Sequence, residues 1–315
     1  MVLDDQISTF ICLVSRHIVY PMKDCCVEEG FINRNGVKLY FIMKGSKKDC
    51  PTIVFIHGND MNTTVWKCQQ DYFCRFYNTL AIDLRGFGKS SKPPGPLTAQ
   101  VHTEDLKAIL DKLCIKKVYL VGWSIGGIVS LSFTITYSTY VKKLILVDTA
   151  PQILKSPEFP FGRTLEQQAE VLALIEFDFP KYAETGAANS VPETCSGAKL
   201  VKNKIEKIIL SNDNQIVLRQ TIDIDLFSAV SRLPLITIPT LIVFGGKDGV
   251  LNPNASTFMR QHISNSKIYE FPEAGHNPFL TYYKEFNKRM AKFLCDKDEC
   301  QICFIFAAQK SHSVR

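Results

Sequence analysis

One serine of this chain stands in a pattern that could make it a nucleophile. Ser124 is the centre of Gly-Trp-Ser-Ile-Gly at residues 122–126, directly after the apolar run at residues 118–121. The two glycines lack the Cβ atoms that would clash in a sharp turn from a strand into a helix. Such a turn would hold the serine hydroxyl above the sheet, over the positive end of the following helix. The pattern predicts a nucleophile elbow and the chemistry of a serine hydrolase.

A serine nucleophile needs a base and an acid, each expected on a loop that leaves a strand. His276 lies in Ala-Gly-His-Asn-Pro at residues 274–278 and is the predicted base, which takes the serine proton and returns it to the leaving group. Asp248 lies in the glycine-rich turn after an apolar strand and is predicted to orient the imidazole. Asp148 also ends an apolar strand and is the alternative acid. His57 and His262 are expected to be structural and surface residues.

A turn upstream of the serine could supply hydrogen-bond donors to a developing oxyanion. His-Gly-Asn-Asp at residues 57–60 follows an apolar strand at residues 53–56. The backbone N–H groups of Asn59 and Ile125, the residue after the serine, are the predicted oxyanion hole. Two preset donors of this kind are typically the largest electrostatic contribution to acyl transfer. The alternative is a structural turn without a catalytic role.

These residues would be positioned by strands that alternate with helices. An Asn-Gly turn at residues 35–36 predicts a hairpin over residues 31–43. Apolar strands are predicted over residues 52–56, 80–84, 118–121, 144–147 and 241–244, and helices over 97–113, 126–137, 254–263 and 277–294. The alternation predicts an α/β fold with a doubly wound, mostly parallel sheet that is entered through an antiparallel hairpin.

The alternation stops between residues 151 and 235. This segment shows helical patterns near residues 165–175, 198–210 and 215–230, and it is too long for an ordinary loop. We expect a helical cap over the carboxyl edge of the sheet, and the alternative is an independent helical domain. The predicted organisation is an extension at 1–30, a core at 31–150 and 236–294, a cap at 151–235 and a tail at 295–315.

Composition narrows the class of protein. The chain has 315 residues, of which 46% are hydrophobic and 22% charged, as in a folded protein with a large core. Its net charge is +6, and the basic clusters have helical spacing without a basic–aromatic module, so nucleic-acid binding is not expected. The apolar patch at residues 10–14 is far shorter than the roughly 20 residues of a membrane span, so no integral membrane segment is expected. Composition leaves the oligomeric state open.

The number and positions of the cysteines indicate the redox compartment of the protein. There are eleven, an odd number, and Cys74 and Cys114 lie in predicted core elements, which indicates a reducing compartment and a cytoplasmic location. The pair at residues 25–26 and the Cys-x-x-Cys at residues 300–303, near Cys295, are expected to be free thiols, with lipidation as the alternative. No second Cys-x-x-Cys or paired histidine motif accompanies them, so we do not expect a metal site.

Taken together, these motifs resemble the α/β-hydrolase superfamily, in particular its branch of capped serine esterases, lactonases and haloperoxidases. The resemblance runs from about Phe31 to Leu294 and includes Asp-Leu-Arg-Gly-Phe-Gly-Lys-Ser at residues 83–90, which is similar to a structural loop of the family. It implies a cofactor-free reaction through an acyl-serine. One departure is Asp60, which stands where the family's His-Gly-x-Pro turn has proline and is expected to add charge near the pocket mouth.

The leading hypothesis is hydrolysis of a small carboxylic ester, thioester or lactone. Epoxide hydrolases and dehalogenases of the same superfamily use aspartate as nucleophile, so Ser124 makes them poor matches. A C–C bond hydrolase and an acyltransferase on the same triad remain alternatives, although C–C hydrolases often carry asparagine at the position of Trp123. A catalytically silent binding protein with this fold is the alternative from a different class.

Overall fold

The computed structural model describes residues 25–45 and 51–295. Within them, eight strands form one sheet in the order β1-β2-β4-β3-β5-β6-β7-β8. The strands are β1 Val27–Arg34, β2 Val37–Lys44, β3 Thr52–Ile56, β4 Asn78–Ile82, β5 Val118–Trp123, β6 Val141–Val147, β7 Thr240–Gly245 and β8 Ser266–Phe271. The pairs β1–β2 and β2–β4 are antiparallel and all others are parallel, which confirms the predicted mostly parallel α/β sheet.

Helices connect the parallel strands. They are α1 Lys67–Phe73, α2 Ala99–Lys112, α3 Ile125–Thr136, α4 Leu165–Phe177, α5 Phe179–Ser190, α6 Ala198–Leu210, α7 Asn214–Asp225, α8 Asn254–His262, α9 Pro278–Thr281 and α10 Tyr283–Leu294. Short 3₁₀ segments occur at Thr63–Trp66, Ser138–Tyr140 and Val230–Leu235. In the part of the chain that the structure describes, no helix combines the length and the apolar content needed to cross a bilayer.

The hairpin forms where the Asn-Gly pair predicts it. Asn35 and Gly36 have φ angles of 53° and 84°, as a type I′ turn requires at its two central positions. The flanking residues Arg34 and Val37 are paired, so the turn fixes the register of β1 against β2. Strand β2 then pairs antiparallel with β4 and joins the hairpin to the parallel part of the sheet.

The central strands are covered on both faces. Every residue of β3, β5 and β7 is buried, which explains why these strands are continuous apolar runs. Alternate side chains belong to different clusters: Phe55 packs in a cluster that includes side chains of α1 and α10. Its neighbour Ile56 packs in a second cluster, which includes side chains of α2, α3 and α8. The two layers hold the carboxyl ends of the strands rigidly beside one another.

Four helices, α4 to α7, lie between β6 and β7. We call them the cap helices, and their apolar side chains join the clusters of the sheet: Ile205 of α6 packs in the first and Ile216 of α7 in the second. Helix α5 packs against α6, and α4 against α7. The predicted helical patterns in this segment correspond to α4, α6 and α7, whereas α5 was not predicted. The domain boundaries proposed from sequence stay predictions.

Several elements differ from the sequence-based expectation. The predicted helix at 277–294 is two helices, because the backbone at Tyr282 leaves the helical region with φ −119° and ψ 36°. Strand β8 carries polar residues on a partly exposed edge and lacks the apolar run of its neighbours. Helix α5 begins with Phe-Pro and contains Gly186, a poor signal for a helix. These elements are specified by tertiary packing more than by local pattern.

The cysteine prediction was wrong at Cys25 and Cys295, which are disulfide-bonded rather than free thiols, and at Cys114. Cys25 and Cys74 form a disulfide with a Cα–Cα distance of 6.1 Å, which ties the start of β1 to the end of α1. Cys114 is exposed, because it follows α2 in a turn with φ 56° and does not reach the core. Spacing alone could not show that two cysteines 49 residues apart meet. The Cys-x-x-Cys at residues 300–303 lies outside the described residues.

Candidate active site

Ser124 lies at the apex of a sharp turn between β5 and α3. Its φ of 55° and ψ of −121° are strained for a residue with a side chain, and its N–H donates to Val147 O over 3.0 Å. The glycines around it are required by close packing. A Cβ on Gly122 would lie 2.2 Å from Gly126 O, and one on Gly126 would lie 2.4 Å from Ile56 O. The sequence pattern therefore produces the predicted elbow.

His276 and Asp248 form a hydrogen-bonded pair on the loops after β8 and β7. Nδ1 of His276 donates to Asp248 Oδ2 over 2.8 Å, and the side chains are only 4% and 3% exposed. Asp248 Oδ1 accepts from the N–H groups of Val250 and Leu251, at 2.7 and 3.1 Å, so the carboxylate is fixed. This arrangement leaves Nε2 of His276 as the acceptor of the ring. His276 and Ser124 line the same cavity.

The backbone of His276 is also held in place. Its carbonyl accepts a hydrogen bond from Trp123 Nε1 over 2.7 Å, and its N–H donates to Ser190 O of the cap helix α5 over 2.9 Å. The rings of Trp123 and His276 are 5.5 Å apart. The residue before the serine thus supports the predicted base directly, a role that the sequence motif did not reveal.

Asp148, the alternative acid, is close by but is engaged differently. Its Oδ1 accepts from Gly245 N–H over 2.7 Å, and its buried Oδ2 has no hydrogen-bond partner within the described residues. Burial, followed by the charge of the neighbouring Asp248, raises the pKa of Asp148 well above its usual range. A raised pKa favours the neutral carboxyl group, which stabilises an imidazolium less than a carboxylate does. Asp248, and not Asp148, is hydrogen-bonded to the ring of His276.

Asp148, Asp248 and His276 also form the cluster most suited to a cation among the described residues. Three of their potential ligand atoms lie within 4.8 Å of one another. Within it, the N–H donors to Asp248 and its contact with Nδ1 of His276 orient the carboxylate toward the ring. We therefore interpret the cluster as a proton-transfer group.

The predicted oxyanion turn passes beside the nucleophile. A Cβ on Gly58 would lie 3.2 Å from Ser124 Cβ, and Asn59, Ser124 and Ile125 line one cavity. The N–H of Ile125 is the first of α3 and so has no acceptor within its own helix. The structure brings all five predicted site residues together around this cavity.

The side chain of Asn59 is clamped by cap helix α7. Asn59 Nδ2 donates to Thr221 Oγ1 over 3.1 Å, and Gln220 Nε2 donates to Asn59 Oδ1 over 2.7 Å. Gln220 is fully buried, and its Oε1 is 2.8 Å from Nε2 of His102 on α2. Burial lowers the pKa of His102 to about 4, so the ring is neutral and donates this hydrogen bond. Sequence reasoning missed Gln220 and His102 because their partners are more than 100 residues away along the chain.

Among the described residues, His57 and the glycine-rich loop have structural roles, as expected, and His262 is a surface residue. His57 Nε2 accepts from Leu84 N–H over 2.9 Å, and burial lowers the pKa of His57. His262 is exposed. In the loop at residues 83–90, the Asp83 carboxylate accepts from the N–H groups of Thr63 and Lys89, at 2.7 and 2.8 Å.

Asp60 lies elsewhere than expected. It was predicted to add charge near the pocket mouth, but it is 5% exposed and part of the cavity wall. Its Oδ2 accepts a hydrogen bond from the hydroxyl of Tyr182 on α5 over 2.6 Å. Burial raises the pKa of Asp60 to about 7. The cap helices thus enclose a group that the sequence alone would place in solvent.

The cavity itself has a volume of about 660 Å³ and lies between the sheet and the cap helices. Its walls combine apolar side chains with polar ones from distant parts of the chain. The apolar wall includes Met61, Val171, Leu174, Ile205 and Ile209, and the polar wall includes Asp60, Arg163, Gln168, Tyr182, Thr221 and Asp225. Such a cavity suits a small organic molecule with both apolar and polar parts.

Comparisons with known proteins agree with this architecture. A family model described as "alpha/beta hydrolase fold" matches residues 51–282. The chain is 28% identical over 256 residues to a pimeloyl-(acyl-carrier protein) methyl ester esterase from Vibrio atlanticus, covering 77% of this chain and 94% of that protein.

Two solved structures show the same fold. An esterase from Exiguobacterium antarcticum has a TM-score of 0.77 at 23% identity, over 82% of this chain and 96% of its own. The enol-lactonase from Burkholderia xenovorans has a TM-score of 0.77 at 20% identity, over 85% and 100%. With a family model that spans most of the sequence and a sheet of the matching architecture, the chain belongs to the α/β-hydrolase family.

Proposed function

We propose that this protein is a cofactor-free serine hydrolase that cleaves a small carboxylic ester, thioester or lactone. The observation that carries the proposal is the convergence, on one cavity, of a serine on a strained elbow and a histidine fixed by a buried aspartate. A nucleophile, a base and a group that orients the base are the three parts that acyl transfer through serine requires.

The proposed reaction has two halves. Nε2 of His276 takes the proton of Ser124 Oγ as this oxygen attacks the substrate carbonyl, and the N–H groups of Asn59 and Ile125 donate to the resulting oxyanion. The imidazolium, stabilised by Asp248, then protonates the leaving alcohol, thiol or ring oxygen as its bond to carbon breaks. Water repeats the sequence on the acyl-serine and releases the carboxylic acid.

The comparisons support an ester hydrolase more than they support other chemistry. The relative from Vibrio atlanticus is a methyl ester esterase, and the matched region covers 94% of that protein. What supports the carboxylic ester type here is the combination of this relationship with a serine nucleophile and a cavity of small-molecule size.

Three alternatives use the same residues or the same fold. A C–C bond hydrolase and an acyltransferase would need the same triad, and the acyltransferase is distinguished by product analysis in the presence of an added alcohol or thiol. A silent binding protein would keep the cavity without turnover. The intact contact between His276 and Asp248 favours an enzyme over the silent protein.

A series of p-nitrophenyl esters of increasing acyl length tests the proposal. Wild-type protein should hydrolyse at least the short members, whereas Ser124→Ala should lose turnover and keep the same melting temperature. Hydrolysis by the variant at near the wild-type rate would remove Ser124 from the mechanism. A folded wild-type protein that is inert to all lengths would favour a specialised lactone, C–C cleavage or the silent protein.

A cytoplasmic location remains part of the proposal only as a prediction from cysteine count. The Cys25–Cys74 disulfide is the observation against it, because disulfides persist mainly in oxidising compartments. Mass spectrometry of Cys25 after alkylation of protein from its native source would decide between the two. A free thiol is the result that the cytoplasmic prediction requires.

A further inference from the structure

One oxygen of the Asp60 carboxyl group, Oδ1, has no hydrogen-bond donor among the described residues. Oδ2 accepts from the Tyr182 hydroxyl over 2.6 Å. Within residues 25–45 and 51–295, no group donates to Oδ1 and no lysine or arginine forms an ion pair with Asp60. The side chain nevertheless lines the cavity and is 95% buried, as its exposure is 5%. Oδ1 is therefore open to the cavity, and a molecule bound there can donate a hydrogen bond to it.

Asp60 is held firmly in this position. Its backbone adopts φ 50°, a conformation that is uncommon for a residue with a side chain. Its carbonyl accepts from Asn212 Nδ2, between α6 and α7, over 2.7 Å. With Tyr182 fixing one oxygen from α5, the carboxyl group is oriented from both sides and cannot turn away from the cavity without breaking a contact to the cap.

The place of Asp60 in the chain puts it next to the reacting group. It follows Asn59, whose N–H is the proposed oxyanion donor, and adjacent Cα atoms are about 3.8 Å apart. Asp60 and Ser124 also line the same cavity. A donor that the substrate carries close to its carbonyl would therefore share this cavity with the Asp60 carboxyl group.

The other charged groups of the cavity favour a donor over an anion. Arg163 is the only arginine or lysine in the described cavity wall, and its guanidinium donates to Gln168 Oε1 and to Val250 O, at 3.0 and 3.3 Å. The wall also contains Glu170, Asp225 and Asp248. An anionic substituent beside Asp60 would meet like charge, whereas a hydroxyl or a protonated amine would supply the missing hydrogen bond.

We propose that Asp60 is a specificity-determining residue whose carboxyl group accepts a hydrogen bond from a hydroxyl or amino group that the substrate carries close to its scissile carbonyl. This proposal rests on the proposed function and narrows it to donor-bearing esters or lactones, such as hydroxyacyl or aminoacyl derivatives. A site built to bind a donor discriminates strongly against the analogue that lacks it, since the buried acceptor is then left unsatisfied.

A purely structural role makes a different prediction. Asp60 could serve only to latch the cap onto the core through Tyr182 and Asn212. A latch would affect all substrates alike, because it acts on the shape of the whole cavity. Removal of the Tyr182 hydroxyl would then have the same consequence as removal of the carboxyl group.

The test uses the methyl esters of butanoic, β-hydroxybutanoic and β-aminobutanoic acid, with kcat/KM measured for wild type, Asp60→Ala and Tyr182→Phe. We expect wild type to prefer at least one donor-bearing ester over the plain ester by about tenfold or more. Asp60→Ala should abolish most of this ratio, and Tyr182→Phe, which keeps the carboxyl group, should retain it. The hydroxy and amino arms distinguish the two sources of the donor.

Three results would overturn the proposal. The first is a wild-type kcat/KM for both donor-bearing esters that is close to the value for the plain ester. The second is a preference for donor-bearing esters that persists in Asp60→Ala. The third is an equal loss of kcat/KM on all esters in Asp60→Ala and Tyr182→Phe. If wild type cleaves none of the esters and does not react with a fluorophosphonate, the proposed function fails separately. Calorimetric binding of the same three esters to Ser124→Ala then decides on Asp60 by the same ratio.

Discussion

Two parts of the cavity are positioned in different ways. The reacting centre contains Ser124, His276 and Asp248, and the cap-side wall contains Asn59 and Asp60 with their partners on the cap helices. Ser124 and His276 lie on loops directly after strands, and each is surrounded by a short sequence motif. The groups of the cap-side wall meet across long stretches of chain: Asp60 contacts Tyr182, and Asn59 contacts Gln220, over 122 and 161 residues. The comparison teaches that local motifs at the strand ends position the proposed catalytic residues. The proposed selectivity depends instead on how the cap folds back over them.

The largest expected effect is on kcat, and it should distinguish Asp248 from Asp148. Asp248→Asn should lower kcat by about 10³–10⁴-fold, because the ring of His276 loses the partner that sets its tautomer and stabilises its charge. Asp148→Asn should lower kcat by less than about tenfold, since the acceptor for Gly245 N–H is kept. Steady-state kinetics on one ester, with melting temperatures as the folding control, measure both. A larger loss in Asp148→Asn than in Asp248→Asn would reverse the assignment of the acid.

The next effect concerns the stability of the cap-side wall as a function of pH. Burial raises the pKa of Asp60 to about 7 in the folded protein, above its usual value of 3.8. The resulting stabilisation is complete below the unfolded pKa and is lost as pH rises from about 4 through 7. Asp60→Asn should therefore gain stability relative to wild type over this window, by up to about 4 kcal/mol.

Chemical denaturation of wild type and Asp60→Asn at pH values from 5 to 8 measures this difference. The low-pH end is the reference point, because the carboxyl group of the folded protein is protonated there and resembles the amide. A difference in the free energy of unfolding that stays constant across the series would show that Asp60 does not titrate in this window.

The smallest effect should appear where the two regions meet. Gln220→Ala removes one clamp on Asn59 and leaves His102 without its partner. We expect kcat to fall by about tenfold with little change in KM, since the oxyanion is stabilised more than the bound substrate. Gln215→Ala, an exposed position on the same helix, is the matched control. A change in KM alone would make the clamp a part of substrate binding rather than of oxyanion positioning.

Most of the fold and the local motifs of the site could be predicted from the sequence. Apolar runs and the Asn-Gly turn were sufficient to place the hairpin and the central strands, because buried parallel strands and type I′ turns have strong local signals. Residue spacing also singled out Ser124, His276 and Asp248, which the structure brings to one cavity.

What could not be predicted depends on contacts between distant segments. The burial of Asp60, the Asn59–Gln220–His102 chain and the Cys25–Cys74 disulfide all join residues whose neighbours in sequence say nothing of their partners. Helix α5 was missed because proline and glycine weaken its propensity, and its packing against α6 compensates. Asp60 illustrates the difficulty, since an aspartate in a turn is normally a surface residue.

The most direct test of the account is to identify the residue that reacts with a fluorophosphonate. Wild-type protein is incubated with the reagent, digested, and the adduct is mapped by tandem mass spectrometry, with Ser124→Ala as the control. We predict a single adduct on Ser124 that is absent from the variant and forms far more slowly in Asp248→Asn. An unmodified wild-type protein, or an adduct on a different residue, would contradict the assignment of this cavity as the active site of a serine hydrolase.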